Sequence, residues 1–400
     1  DAADHRSPLV PYLKAAILAV AGDWNTRAVH IVLALLMGGI AVALWQIGRR
    51  LGDHLSGLLA AAIFTFLSIT LLDFADAISA HTGWFLAAFS AFGFATFVAA
   101  LDRPTALRGF IFGALFGFSF LCKQPGLLDY LVVWVLLALL ILQDRTRAPA
   151  LIRVWLGSAV GALLPVVAYA IYFIAHGAWH EAIYYAFTYN TEIYIGGSPL
   201  LERLSGMRAP FDLARANAPV VLLLVLAAAV ALFSRAARDV LRRPFHPQLL
   251  VWLILGWCAS GLISTGLSGR TFSHYSTQLV APLSLACGWI LSRLIATCRA
   301  RRPAALSWIA CALTAFALGT LVFSYTRRAR VLAEPDTFPL EIASRIRAHT
   351  APEGRIFVWG YYSELYALSQ RLPASRFIYT NFVTGLVPWT NLDPLIDTTA

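Results

Sequence analysis

The chain has 400 residues, of which 59% are hydrophobic and only 13% charged, with a mean hydropathy of +0.70. A soluble domain carries about 25% charged residues. Half that share, with apolar runs recurring near 20 residues, excludes a soluble globular protein and predicts an all-α polytopic membrane protein. The net charge of +10 does not point to nucleic acid, because the basic residues fall in small groups between the apolar runs, the pattern of topology signals.

The chain opens on Asp1-Ala-Ala-Asp4-His5-Arg6-Ser7-Pro8, which packs two carboxylates, an imidazole and a guanidinium beside the first apolar stretch. It does not begin with Met and reads as a segment lacking its natural start. Residues 9–22 are apolar but too short to span; they predict an amphipathic helix at the interface, with Lys14 reaching toward headgroups. Ten apolar runs follow, at 28–48, 55–72, 83–101, 109–122, 126–143, 154–174, 219–234, 248–266, 277–297 and 304–325. The connecting segments on one side hold fifteen basic residues, from Arg49 and Arg50 to Arg301 and Arg302; those on the other side hold seven. The richer side is read as cytoplasmic. The N-terminal cluster, the 175–218 loop, the 267–276 loop and the C-terminal segment then face outward from a bacterial inner membrane. The five cysteines lie in or beside apolar runs, with no CxxC and no His/Cys cluster. They read as small core residues, not as disulfides or a zinc site.

The fourth run is short. From Gly109 to Leu121 a helix rises only ~20 Å, less than the ~30 Å hydrocarbon core, and it ends in Cys122-Lys123-Gln124-Pro125-Gly126. A helix break is tolerated at membrane depth only where it is packed in protein or lines a cavity, and an intramembrane lysine is a site candidate. Two outer loops add further groups. The 175–218 loop is aromatic and polar, with Tyr189 and Asn190 as candidates for substrate contact; an interfacial aromatic belt has the same composition. The loop Ser268–Tyr275 carries Arg270 and His274, suited to an anion, followed by Tyr275. Residues 326–400 change character. A helix over 338–349, a β-like run at 355–359, a helical stretch at 361–370 and a second β-like run at 377–379 predict a small α/β domain whose end is missing at Ala400. The division read from sequence is thus 1–27 for the outer-loop remnant and interfacial helix, 28–325 for the transmembrane domain and 326–400 for the α/β domain.

On this topology, Asp1–Arg6, Asp73/Asp76/His81, Lys123 and Arg270/His274 share one face. Basic groups that hold a phosphate as leaving group, with a carboxylate to accept the proton of an attacking hydroxyl, suit group transfer from a phosphorylated lipid. Several motifs carry a resemblance. They are Asp4-His5-Arg6-Ser7-Pro8-Leu9, Phe120-Leu-Cys-Lys123-Gln124, Gly269-Arg270-Thr-Phe272-Ser-His274-Tyr275, and Ile356-Phe-Val-Trp-Gly360 followed by Glu364-Leu-Tyr366. In this order the chain resembles the polytopic GT-C glycosyltransferases, in particular the dolichyl-phosphate-mannose protein mannosyltransferases and the bacterial aminoarabinose transferases. The resemblance implies a polyprenyl-phosphate sugar donor and a hydroxyl acceptor on a glycan, lipid or protein. It places Lys123, Arg270 and His274 near the donor phosphate, with His5 and Arg6 shaping the same site. It puts the base on an acid earlier in the first outer loop, behind a preceding transmembrane helix; neither is in this chain. Asp1 and Asp4 remain as secondary acids, and Asp76, ahead of Asp73, as support. Some members of the family use a divalent metal, although no ligand set in this sequence requires one. The alternatives are an O-antigen ligase or polymerase, and a transporter of lipid-linked sugars. A transporter calls for paired helix breaks, and the sequence has a break at 122–126 without a counterpart.

Overall fold

The structure is a computed structural model that describes residues 7, 9–194, 206–208, 246–267, 272–300, 315, 318–319, 322–331, 333–334, 337–360 and 362–378. Its apolar part is helical: α1 (Leu9–Ala21), α2 (Thr26–Leu51), α3 (His54–Thr70), α4 (Phe74–Ile78), α5 (Thr82–Asp102), α6 (Ala106–Cys122), α7 (Gly126–Gln143), α8 (Ala148–Ala175), α9 (Trp179–Ile183), α10 (His246–Gly266) and α11 (Thr277–Ala300). Helices α2, α5, α7, α8 and α10 are long and apolar enough to cross a membrane, and α1, α3 and α6 are shorter apolar helices. The chain is an α-helical membrane protein, as its composition requires. Of the ten apolar runs, 219–234 lies outside the described residues and 304–325 largely does.

Polar residues at the loops set the helix starts. Asp53 begins α3 by accepting the Ser56 N–H at 2.7 Å, and Thr105 begins α6 by accepting the Arg108 N–H at 3.3 Å. The Thr105 cap corrects the short fourth run. It starts α6 three residues before the hydropathy rises, and the 17-residue helix rises about 25 Å. The 175–218 loop needs a correction too, because α9 and a π-helix over Tyr184–Tyr194 occupy its first part.

The structure divides into two compact units. One comprises residues 1–30, 172–198 and 332–400, and the other 31–171 and 199–331. In the larger unit α5 is the enclosed helix. Its apolar window is 78% buried against 17% for α8, and it carries Trp84, Phe85, Phe94 and Phe97 into the core. Helix α8 instead turns Leu156, Val160, Leu163 and Leu164 outward, a continuous apolar face suited to lipid. Where α6 meets α8 the backbones touch. A Cβ on Gly113 would lie 2.1 Å from the Ser158 carbonyl oxygen, and one on Gly161 2.0 Å from that of Phe110. Small residues at such positions let membrane helices approach this closely. The buried carboxyl inside the unit is paired. The carboxyl of Asp129, 1% exposed on α7, accepts from Ser90 Oγ of α5 at 2.6 Å and from Ser260 of α10. One polar residue thereby ties three apolar helices, the arrangement a buried carboxyl demands.

In the smaller unit Tyr12 of α1 donates to Tyr172 at 3.5 Å. Its C-terminal part holds α12 (Thr337–His349), β1 (Arg355–Ile356), α13 (Glu364–Ser369) and β2 (Leu372–Pro373). The strands pair in parallel, Arg355 with Leu372 and Ile356 with Pro373. The second strand is therefore earlier than the 377–379 run read from the sequence. Gln370 ends α13 in the left-handed conformation at φ 56°, which reverses the chain at once and brings residues 372–373 to β1. The buried Arg371 then donates to the Thr350 carbonyl at 2.8 Å, fixing that turn to the end of α12.

The α6–α8 contact yields a test. Gly113→Leu should cost about 1–3 kcal/mol or more through overpacking, seen as lost folded yield and a lower Tm in detergent. Gly38→Ala on α2, where an added Cβ meets no atom within 4 Å, should be neutral. Equal stability of Gly113→Leu and the parent would refute the close packing.

Candidate active site

The site forms in the larger unit where α3, α4, α5, α6 and α11 end or begin. The turn after α3 leads through Asp73 into the five-residue α4, and α5 starts at Thr82 behind His81. From the other side, the 3₁₀ turn Ser273–Ser276 runs directly into α11. Ser273, only 4% exposed, joins the two. Its Oγ accepts the Asp73 backbone N–H at 3.0 Å and donates to Asp76 Oδ2 at 2.5 Å. The other carboxylate oxygen, Asp76 Oδ1, faces His274 Nδ1 at 3.5 Å. Below the turn, Arg328 donates to the carbonyl oxygens of Ile69 and Leu72, closing off the end of α3 just before Asp73.

Lys123 follows α6 in extended conformation, φ −162° and ψ 137°, and the chain re-enters a helix at Gly126. The helix break read from the sequence is therefore real, and the glycine is required. A Cβ at Gly126 would sit 2.5 Å from the Ser119 carbonyl carbon. The Lys123 ammonium lies over the Tyr275 ring, 3.9 Å from its centroid, in cation–π contact. The His274 and Phe272 rings stack, 5.5 Å apart and nearly parallel, and the Tyr275 ring lies tilted against both. His81 and His274 are also 5.5 Å apart.

Proton placement follows from backbone partners. The Gly83 N–H can only donate, so His81 Nδ1, at 3.1 Å, must accept. The Asp76 carbonyl can only accept, so His81 Nε2, also at 3.1 Å, must carry the hydrogen. His81 is thus a neutral imidazole that caps α5 and holds α4. Burial, together with the charges of His274 and Lys123, pushes its pKa down to about 3. Burial alone would raise Asp76, but hydrogen bonds from His274 and Ser273 and the His274 charge prevail and hold it at about 2.

Of the residues named from sequence, the structure brings together Asp76, His81, Lys123, His274 and Tyr275. Asp73 contributes its backbone N–H; its side chain is exposed. Tyr189 and Asn190 belong to the other compact unit. There Tyr189 is buried, and Asn190 donates to the Ala186 carbonyl of its own helix at 2.9 Å. Asp1, Asp4, His5, Arg6 and Arg270 lie outside the described residues. The sequence reading missed Ser273 and Arg328. A serine within an outer loop carries no signal of its own; only its place between Asp73 and Asp76 gives it one. No three His, Cys, Asp or Glu side chains gather as a metal-ligand group among the described residues.

Comparison with known proteins bears on the fold. Residues 5–173 match the family model described as dolichyl-phosphate-mannose-protein mannosyltransferase. The structure is similar to that of the Archaeoglobus fulgidus oligosaccharyltransferase tethered to an acceptor peptide. The TM-score is 0.60 at 12% identity over 92% of this chain and 55% of that one. It is also similar to ArnT from Cupriavidus metallidurans bound to undecaprenyl phosphate, with TM-score 0.59 and 14% identity over 93% of this chain and 76% of that one. The fold is that of the GT-C glycosyltransferases. No curated protein sequence matches the chain significantly. The chain spans little more than half the length of the archaeal oligosaccharyltransferase. At these identities the likeness carries the GT-C fold alone, and the chemistry has to be argued from the residues.

The His81 geometry makes a pH prediction. A neutral His81 binds fewer protons folded than unfolded, so its contribution to stability is complete above pH 6.5. It is lost progressively as pH falls toward about 3. His81→Asn keeps an acceptor for the Gly83 N–H but cannot titrate. The fall in Tm between pH 7.5 and pH 4.5 should therefore be shallower in His81→Asn than in the parent; equal slopes would mean His81 does not need to be neutral.

Proposed function

We propose that this protein is a membrane glycosyltransferase that moves a sugar from a polyprenyl-phosphate donor to a hydroxyl acceptor on the outer face of a bacterial cytoplasmic membrane. The observation that carries the reading is the convergence of Lys123, His274 and Asp76 at the α6–α7 break, within a GT-C fold. Two basic groups outnumber the single carboxylate there, so the cluster favours an anion. A break between two apolar helices sets that anion beside a lipid tail. A structural neighbour, ArnT, was crystallised with undecaprenyl phosphate, a ligand of this same chemical class.

In the proposed step the acceptor oxygen attacks the anomeric carbon while the bond from that carbon to the phosphate oxygen breaks. The electron pair leaves with the polyprenyl phosphate, whose growing negative charge is met by the Lys123 ammonium and the His274 imidazole, with Arg270 joining from the same outer loop. Asp76 is assigned to orient His274 through Nδ1. A carboxylate held at about 2 is too weak a base to be the first choice for taking the acceptor's proton near neutral pH. That proton goes to a carboxylate of the first outer loop, where Asp1 and Asp4 are the candidates within this chain. Tyr275 shapes the donor site by carrying Lys123 on its face.

Lys123→Ala should weaken binding of a polyprenyl phosphate by about 10- to 100-fold, the range for a lost hydrogen bond to a charged group. Arg270→Ala should abolish sugar transfer in proteoliposomes without loss of folded protein. Unchanged affinity in the first and unchanged transfer in the second would remove the phosphate assignment. Phe272→Cys should react with a membrane-impermeant maleimide on intact cells; reaction only after permeabilisation would reverse the orientation. If the protein moves lipid-linked sugar across vesicles without forming a glycosidic bond, the transporter reading replaces this one.

A further inference from the structure

We infer that Ser273 is a positioning residue for the site: its hydroxyl orders the Asp76 carboxylate, which in turn aims His274 at the donor phosphate. The inference rests on the function proposed above and extends it to a residue that makes no contact with the donor.

Ser273 has a single hydroxyl hydrogen. The Asp73 backbone N–H, 3.0 Å away, can only donate, so Ser273 Oγ must accept from it. The hydroxyl hydrogen is then committed to Asp76 Oδ2, at 2.5 Å. The direction of this bond is dictated by the main chain and cannot reverse. With Oδ2 engaged, the carboxylate cannot rotate freely, and Oδ1 is left on the His274 side, 3.5 Å from Nδ1. His81 reinforces the same turn by donating Nε2–H to the Asp76 carbonyl. Two donors of fixed direction therefore hold Asp76, one on the side chain and one on the main chain. Ser273 is almost fully buried, whereas the side chains of Asp76 and His274 keep 27% and 33% of their exposure. The ordering group is thus inside the fold, and the groups it orders are within reach of a ligand.

The groups facing Asp76 are His274 and Ser273 from the turn before α11, and His81 from the start of α5; Lys123, from the end of α6, acts on His81. Removing the Ser273 hydroxyl takes away both of its bonds, to the Asp73 N–H and to Asp76, and leaves the His274 and His81 contacts of Asp76 in place. Three variants separate the outcomes: Ser273→Ala, Ser273→Thr and Asp76→Asn, each in the full-length chain in proteoliposomes. Infrared titration of the carboxyl band that disappears in Asp76→Asn should show protonation at a pH about one unit higher in Ser273→Ala than in the parent. The kcat for sugar transfer from a polyprenyl-phosphate sugar should fall by up to about 100-fold, as expected for misplacement of a reacting group. Ser273→Thr, which keeps the hydroxyl, should restore both readouts. An unshifted carboxyl titration in Ser273→Ala, or parental kcat in Ser273→Ala while Asp76→Asn is inactive, overturns the inference. If Asp76→Asn itself transfers sugar at the parental rate, the role given to Asp76 under the proposed function is what fails.

Discussion

One serine hydroxyl joins the two turns on which the site depends. The chain leaves α3 and enters α5 through eleven residues, 71–81, with only the five-residue α4 between them. A helix of that length has little stability of its own, so its geometry must come from outside. Ser273 supplies it from one side, through the Asp73 N–H and the Asp76 carboxylate. Arg328 supplies it from another, through the carbonyls of Ile69 and Leu72. His81 closes the segment by bonding at once to Asp76 and to the first turn of α5. Polar backbone groups that the helices leave unpaired are thus satisfied by side chains, and those side chains form the wall of the site.

The helices around this segment obey a different constraint. Lipid supplies no hydrophobic drive for helices to meet, so association rests on close packing and on a few polar contacts. Glycines do the first job between α6 and α8, where Gly113 and Gly161 lie against opposing backbone. Asp129 does the second, with serines from α5 and α10. Rigid placement of α6 fixes Lys123, because the last residue of the helix, Cys122, hands directly to it. A shift of α6 along α8 would carry the ammonium away from Tyr275 and from His274.

Hydropathy made most of the helices legible, because a span of apolar residues admits no other backbone pairing. It misjudged ends that capping decides. Thr105 extends α6 beyond its apolar stretch, and Gln370 turns the chain early and shifts β2 to Leu372–Pro373. Arginine asymmetry placed Asp76, Lys123 and His274 on one face, and the structure places them in one cluster. It offered no way to see that Asp73 would act through its amide, or that Tyr189 and Asn190 would fall in the other compact unit.

By itself the sequence determined the environment and the kinds of chemistry at hand: an apolar chain that must fold in lipid, a lysine at a helix break, and an imidazole and carboxylates in loops on the same side. These follow from composition and order, since the cost of leaving backbone or charge unpaired in hydrocarbon is independent of the fold. The tertiary structure alone decided which of those groups meet and in what protonation state. Asp76 and Ser273 are 197 residues apart, and their bond exists because α3, α5 and α11 pack together. That bond, with the tautomer imposed on His81 by two backbone groups, depends on distances of a few tenths of an ångström, which no pattern along a single chain encodes.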